Sequence, residues 1–135
     1  MAITLSGQGL TIAHIRDVAL GAQVALTQDP AVLDRVARSR QVILDGVARG
    51  EQIYGVTTLF GGMADQQVGP DQLVELQNLA LWQHKAVTGP RLADEDVRAT
   101  MLLRANSLLR GVSGVRLEIV ERFLAFLNAG AHPHV

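Results

Sequence analysis

The chain has 135 residues and a formal net charge of −1, with 12 Lys and Arg against 13 Asp and Glu and no basic run, which argues against nucleic acid or an anionic membrane as the main partner. There is no cysteine, so disulfides, thiolate zinc sites and cysteine nucleophiles are excluded. Hydrophobic residues make up 48% but aromatic ones only 4%, enough for one domain whose core is aliphatic.

The N-terminus lacks a basic segment followed by an apolar run, and no apolar stretch approaches the ~18 residues of a membrane span, so a cytoplasmic protein is expected. "ITL" at 3–5 is a candidate short strand and "SGQG" after it a turn. Thr11 can cap a helix through about Leu20 that carries Ile12, Ile15 and Ala19 on one face. Asp29-Pro30 is a helix start, because proline fits the first turn and loses no needed donor. Val32, Val36, Ile43 and Val47 then recur at helical spacing as far as Gly50, which predicts the end of that helix. Residues 51–70 hold Gly55, Gly61, Gly62, Gly69 and Pro70; a loop of about twenty residues is long for a compact domain and points to function or disorder.

Asp71 opens the next predicted helix, "DQLVELQNLALWQHK", which "TGP" at 88–90 closes. Acidic residues 94–96 and Gly111 bracket another, with Val97, Met101, Ala105, Leu108 and Leu109 as its stripe. Ser113 starts the last, ending at Gly130. That helix is apolar on more than one side (Leu117, Ile119, Val120, Phe123, Leu124, Phe126, Leu127), so earlier helices or another polypeptide must cover it. The pattern predicts an all-α fold with one short strand.

Tyr54 is the only tyrosine and lies within "QIYGVTTLFGGMAD". The residues alone leave two readings: a packed ring with its hydroxyl at the surface, or a working phenol on a glycine-punctuated lid. Gly61 is equally a turn glycine or a point of close ligand approach. His84 is either an exposed helix-end side chain or a polar contact for a ligand, and Lys85 reads as a solvated charge. His14, His132 and His134 do not predict a metal: His132 and His134 are two apart, too close for one helical face, and neither has a carboxylate or thiol companion in sequence. Arg98, Arg104, Arg110 and Arg116 alternate with apolar positions, which predicts buried or interface ion pairs.

Three ordered segments then resemble the histidine and aromatic amino-acid ammonia-lyases and the related aminomutases. "YGVTTLFG" at 54–61 is similar to that family's tyrosine loop, Tyr-Gly-Val-(Asn or Thr)-Thr-Gly-(Phe or Tyr)-Gly. "LQNLALWQHKAVTG" at 76–89 is similar to its substrate-selectivity helix. "RATMLLRANSLLRGVSGVR" at 98–116, with the later "LNAGAHPHV", is similar to the helix pair that leads to its catalytic loop. The likeness covers the chain from "LSGQGLT" onward.

The resemblance implies the helical N-terminal portion of a longer subunit, with a long Gly-rich tyrosine loop. It implies Tyr54 as the general base, which asks much of a phenol whose ordinary pKa is about 10. It implies Gly61, Gln83 and His84 as substrate-binding residues, with His84 suited to a polar aromatic group such as imidazole or phenol. Asn106, Ser113 and Gly114 match positions that support the catalytic loop. The family's electrophile, 4-methylideneimidazole-5-one, forms from an Ala-Ser-Gly tripeptide that these 135 residues do not contain. A partner chain carrying Ala-Ser-Gly is therefore expected, in a hetero-oligomer such as a tetramer of pairs, with an amino acid or related small molecule as substrate. Two other readings stand beside it: a non-catalytic binding or regulatory relative, and a fragment without an independent role. Two departures bear on the site. Leu59 stands at a usual glycine, where a positive φ would strain it or its side chain would narrow the pocket. Val87 stands at another usual glycine, at the end of the selectivity helix.

Overall fold

A computed structural model describes residues 2–69, 71–85 and 88–135. Among them are five α-helices and a two-stranded sheet, so the all-α expectation holds apart from one small parallel pair. The chain divides into two compact units, Met1–Gln41 with Pro90–Val135, and Val42–Gly89.

In the first unit β1 (Ile3–Leu5) pairs in parallel with β2 (Val24–Leu26), in the register Ile3 to Val24 and Leu5 to Leu26. The crossover between them is α1 (Ile12–Ala19), opened by Thr11 as predicted. The Thr11 hydroxyl accepts the His14 N–H at 3.2 Å, while His14 Nδ1 accepts the Thr11 N–H at 3.4 Å. This is a capping box with histidine in the place usually held by Glu or Gln. The predicted face of α1 holds in part: Ile15 packs against the core, but Ile12 does not. Ile12 is 87% exposed, and the buried side chain is Val18, because only the later turn of this short helix is covered.

α2 (Pro30–Ala48) begins where Asp29 accepts the Ala31 N–H at 2.9 Å, and it buries Val32 and Val36. α4 (Asp94–Leu108; α3 lies in the second unit) carries Asp94, Glu95 and Asp96 in its first turn, the charge that the positive end of a helix favours. It supplies Val97, Met101, Leu102, Ala105 and Leu108 to an aliphatic core shared with Leu5, Val18, Val24 and, from α5 (Leu117–Asn128), Val120, Leu124 and Leu127.

The last helix starts at Leu117 rather than Ser113. The reason is tertiary: Gly114 gives its N–H to Ser39 Oγ (3.0 Å), and its carbonyl accepts from Arg40 (3.4 Å), which holds the preceding turn against α2. Arg98 also departs from expectation. It is 7% exposed and forms no ion pair among the described residues. Its Nε donates to the carbonyls of Val18 (3.1 Å) and Ala19 (3.2 Å), and its Nη1 to that of Leu127 (3.1 Å). These carbonyls belong to the last turns of α1 and α5, where intrahelical donors run out and the helix dipole is negative. Of the other arginines in the series, Arg116 makes an exposed pair with Glu118 at 3.6 Å.

Asn128 closes the sheet edge, accepting the Val24 N–H at 2.8 Å and donating to the Val24 carbonyl at 2.9 Å. The side chain of the last residue of α5 thus stands in for a third strand.

Candidate functional site

The second unit holds the tyrosine segment and α3 (Leu73–Gln83), which starts two residues after Asp71, the predicted opening residue. The segment is a built turn and not an open twenty-residue loop. Val56 and Thr57 both return their N–H groups to the Ile53 carbonyl at 2.9 Å, and Gly55 sits at φ +70°, where a side chain would be strained. A Cβ there would also stand 3.1 Å from the Phe60 ring.

Two threonine hydroxyls fix this turn. Thr57 Oγ1 donates to the Glu51 carbonyl and accepts the Ile53 N–H, each at 2.8 Å. Thr58 is 1% exposed; its Oγ1 accepts the Gly55 N–H at 3.3 Å and donates to the Leu59 carbonyl at 3.0 Å. An antiparallel bridge between Thr58 and Gln67 closes the segment, with Leu59 N–H donating to Gln66 (3.1 Å) and Val68 N–H to Thr57 (2.9 Å). The tip is a 3-10 turn at Gly61–Met63. No non-glycine residue among those described has a positive φ, so Leu59 sits there without the strain that its position raised.

Tyr54 stands out from this frame, 65% exposed, with its ring edge-on to Phe60 at 6.3 Å between centroids. Its hydroxyl oxygen accepts the Gly61 N–H at 3.3 Å. Two of the four predicted site residues therefore meet. The oxygen accepts in that contact and keeps a further lone pair that can face a substrate. Gly61 has φ +62°, and no atom lies within 4 Å of a Cβ placed on it, so the backbone is open to close approach on that side.

Gln83 and His84 lie at the exposed C-terminal end of α3 and make no contact with Tyr54 among the described hydrogen bonds. His84 Nδ1 is 2.6 Å from the Ala80 carbonyl, which fixes the proton on Nδ1 and leaves Nε2 as an acceptor. Lys85 is not merely solvated: its ammonium lies 3.6 Å from the centre of the exposed Trp82 ring, a cation–π contact. Val87 lies outside the described residues.

Gln77, absent from the sequence-based site, joins the two parts. Its Nε2 donates to the Gly55 carbonyl at 3.2 Å, across 22 residues, next to Tyr54. Seven residues separate Gln77 from His84, two helical turns, so both fall on one face of α3 about 10 Å apart. That spacing was the available signal; the partner of Gln77 was not readable from it.

The entry to the turn carries an exposed ion pair, Arg49 to Glu51 at 2.7 Å. The hydrogen bond from Arg49, and then its charge, hold the Glu51 carboxyl below the usual carboxylate range, and the same contact raises Arg49. A cleft of about 230 Å³ opens in this unit, lined by Val47, Gly50, Glu51, Thr57, Gln67, Val68, Gly69 and Leu73, and by none of Tyr54, Gly61, Gln83 or His84. The four predicted residues thus face outward.

Residues 10–135 match the family described as aromatic amino acid lyase. Over its whole length the chain is 65% identical to an aromatic ammonia-lyase of Loktanella atrilutea, of which it covers 25%. It is 46% identical to a phenylalanine ammonia-lyase of Nostoc punctiforme over 98% of its length, covering 24% of that protein. Among solved structures, ergothionase from Treponema denticola superposes with a TM-score of 0.92 at 32% identity, over 99% of this chain and 27% of that one. Tyrosine aminomutase from Streptomyces globisporus gives 0.87 at 34% identity, over 96% and 24%. The chain spans about a quarter of the length of the relatives it matches.

Proposed function

The chain belongs to the aromatic amino acid lyase family, and from that premise we propose that it supplies the base-bearing lid and the selectivity helix of an ammonia-lyase or aminomutase site. The observation that carries the proposal is the Tyr54 hydroxyl, held on a hydroxyl-clipped turn, receiving the Gly61 amide, and otherwise open. In this reading Tyr54 takes a proton from the amino-acid substrate so that its amine can leave or migrate, and Gly61 lets the substrate approach the backbone. Gln83 and His84 line the side-chain end. An Nε2 acceptor on His84 suits a substrate side chain that offers an N–H or O–H, as imidazole and phenol do.

The family's 4-methylideneimidazole-5-one would supply the electrophile. No Ala-Ser-Gly occurs among these 135 residues, so none of them can form it, and the proposal places it on a partner polypeptide in a cytoplasmic hetero-oligomer, with pairs assembled into a tetramer. The outward-facing Tyr54, Gln83 and His84 support an arrangement in which other polypeptide closes the site. No described helix is long and apolar enough to cross a membrane. A non-catalytic binding or regulatory relative is the competing reading; a strained Leu59 would favour it, and Leu59 has no positive φ.

The test is to purify the assembly and weigh its chains. A partner lighter by two waters at Ala-Ser-Gly, with turnover of an aromatic amino acid or histidine abolished by Tyr54→Phe while assembly persists, is the expected result. Retained turnover in Tyr54→Phe would remove it as the base.

A further inference from the structure

Among the described residues the buried polar side chains are Thr27, Thr58 and Arg98. Two of them serve helix ends. Thr27 accepts the Asp29 N–H at 3.1 Å where α2 begins, and Arg98 donates to the last turns of α1 and α5. Thr58 has no helix end beside it. It lies inside the tyrosine segment, midway between the two groups that meet there.

The bond from the Gly61 N–H to the Tyr54 oxygen closes a loop across seven residues. Within that loop the Thr58 hydroxyl accepts the Gly55 N–H at 3.3 Å and donates to the Leu59 carbonyl at 3.0 Å. Gly55 directly follows Tyr54, and Leu59 stands two residues before Gly61. One buried hydroxyl therefore ties the arm that carries the phenol to the arm that carries the amide. Each arm is also fixed from outside: Gln77 holds the Gly55 carbonyl at 3.2 Å, and the Leu59 N–H reaches Gln66 at 3.1 Å. The neighbouring Thr57 hydroxyl serves the foot of the turn, at Glu51 and Ile53, and bonds to neither arm.

A hydroxyl can accept and donate at once, which is what this position asks of it. Neither the Gly55 N–H nor the Leu59 carbonyl has another partner among the described hydrogen bonds. Both bonds are partly buried, so removing the bridge leaves a donor and an acceptor unpaired and favours a turn that rearranges to wet or re-pair them. The ring of Phe60, edge-on to Tyr54 and packed near Gly55, offers contact but no such directional link.

We propose that Thr58 is a positioning residue: its hydroxyl, and not its methyl, sets the approach of the Tyr54 oxygen to the Gly61 amide and so the aim of the phenol. The catalytic consequence rests on the functional reading above. The geometric one stands on this chain alone.

Tyr54 is the only tyrosine, so 3-fluorotyrosine gives a single fluorine resonance, and Tyr54→Phe supplies the reference in which the phenol–amide bond is absent. The test reads the Gly61 amide resonance in the full ¹⁵N-labelled chain, and the fluorine line beside it. Thr58→Val, similar in shape but without the hydroxyl, is expected to carry the Gly61 amide most of the way to its position in Tyr54→Phe and to shift the fluorine line. Thr58→Ser, which keeps the hydroxyl, is expected to leave both near the parent. Unmoved amides of Val24 and Leu102 show that the first unit is intact. In the assembled enzyme kcat is expected to fall about tenfold in Thr58→Val, with KM changed less than about twofold, and to recover in Thr58→Ser. A parent-like Gly61 amide in Thr58→Val overturns the inference. If Thr58→Val does not fold, Thr58→Ser decides: a displaced Gly61 amide there assigns the role to methyl packing and overturns it equally. A displaced amide with kcat unchanged, while Tyr54→Phe abolishes turnover, overturns the catalytic consequence. Turnover retained in Tyr54→Phe overturns the functional reading instead, and the Gly61 comparison still decides the geometry.

Discussion

Replacing Arg98 by leucine removes two donating N–H groups from a side chain only 7% exposed: Nε–H, shared between the carbonyls of Val18 and Ala19 at 3.1 and 3.2 Å, and Nη1–H, given to Leu127 at 3.1 Å. Bonds from a charged donor contribute ~1.5–3 kcal/mol each, so the gross loss is of the order of 3–6 kcal/mol. Against it stands the cost of keeping a guanidinium out of water, which leucine does not incur. The difference predicts a net destabilisation of about 2 kcal/mol. Arg98→Lys keeps the charge but has no planar fork to span two helix ends, and should lose about 1 kcal/mol. Urea unfolding of each variant, compared at equal m value, gives the measurement. If Arg98→Leu stays within ~0.5 kcal/mol of the parent, as surface substitutions do, the guanidinium merely balances its own desolvation and does not hold α1 and α5 together.

Asn128→Ala deletes both bonds to Val24 and should cost about 2 kcal/mol in the same assay, with amide exchange of Val24 accelerated. Gln77→Leu removes one neutral bond from α3 to the tyrosine turn; on the proposed function, a loss of ~1 kcal/mol predicts roughly fivefold lower kcat/KM, far milder than the ~10²–10⁴-fold expected of Tyr54→Phe. The Arg49–Glu51 pair predicts a pH effect of definite sign. Glu51 is held below the ordinary carboxylate range, so the pair's contribution is present above that range and is lost as pH falls through the lowered folded-state value. A carbonyl-detected NMR titration should give a Glu51 midpoint below that of free glutamate, moving upward in Arg49→Gln and in ~1 M salt, because the pair is exposed.

Much of the framework was legible because its signals are local. Thr11 and Asp29-Pro30 act within one turn, and the stripes Val32–Val36 and Val97–Met101–Ala105–Leu108 set buried faces whatever lies opposite. "ITL" proved to be a strand, but its partner Val24–Leu26 is three residues long and lacks alternation, so only pairing identifies it. Ser113 is a sound capping residue by type, yet Ser39 and Arg40 hold the adjacent Gly114 and delay the helix. The tyrosine segment was legible as a place and not as a shape: glycines marked it, while the clips from Thr57 and Thr58 depend on which backbone groups the turn leaves unpaired. The motif put Tyr54 and Gly61 in one candidate site but did not give the bond between them; the contact of Gln77 with Gly55, like the carbonyl partners of Arg98, depended on residues distant in sequence.

The division of the chain has a consequence for altering it. Residues 42–89 interrupt a unit whose aliphatic interior, from Leu5 to Leu127, is assembled wholly from residues on either side of them. The tyrosine turn and α3 therefore fall within one stretch, and a graft exchanged after the end of α2 and before Pro90 would carry the proposed lid and the proposed selectivity helix together while keeping every residue of that interior.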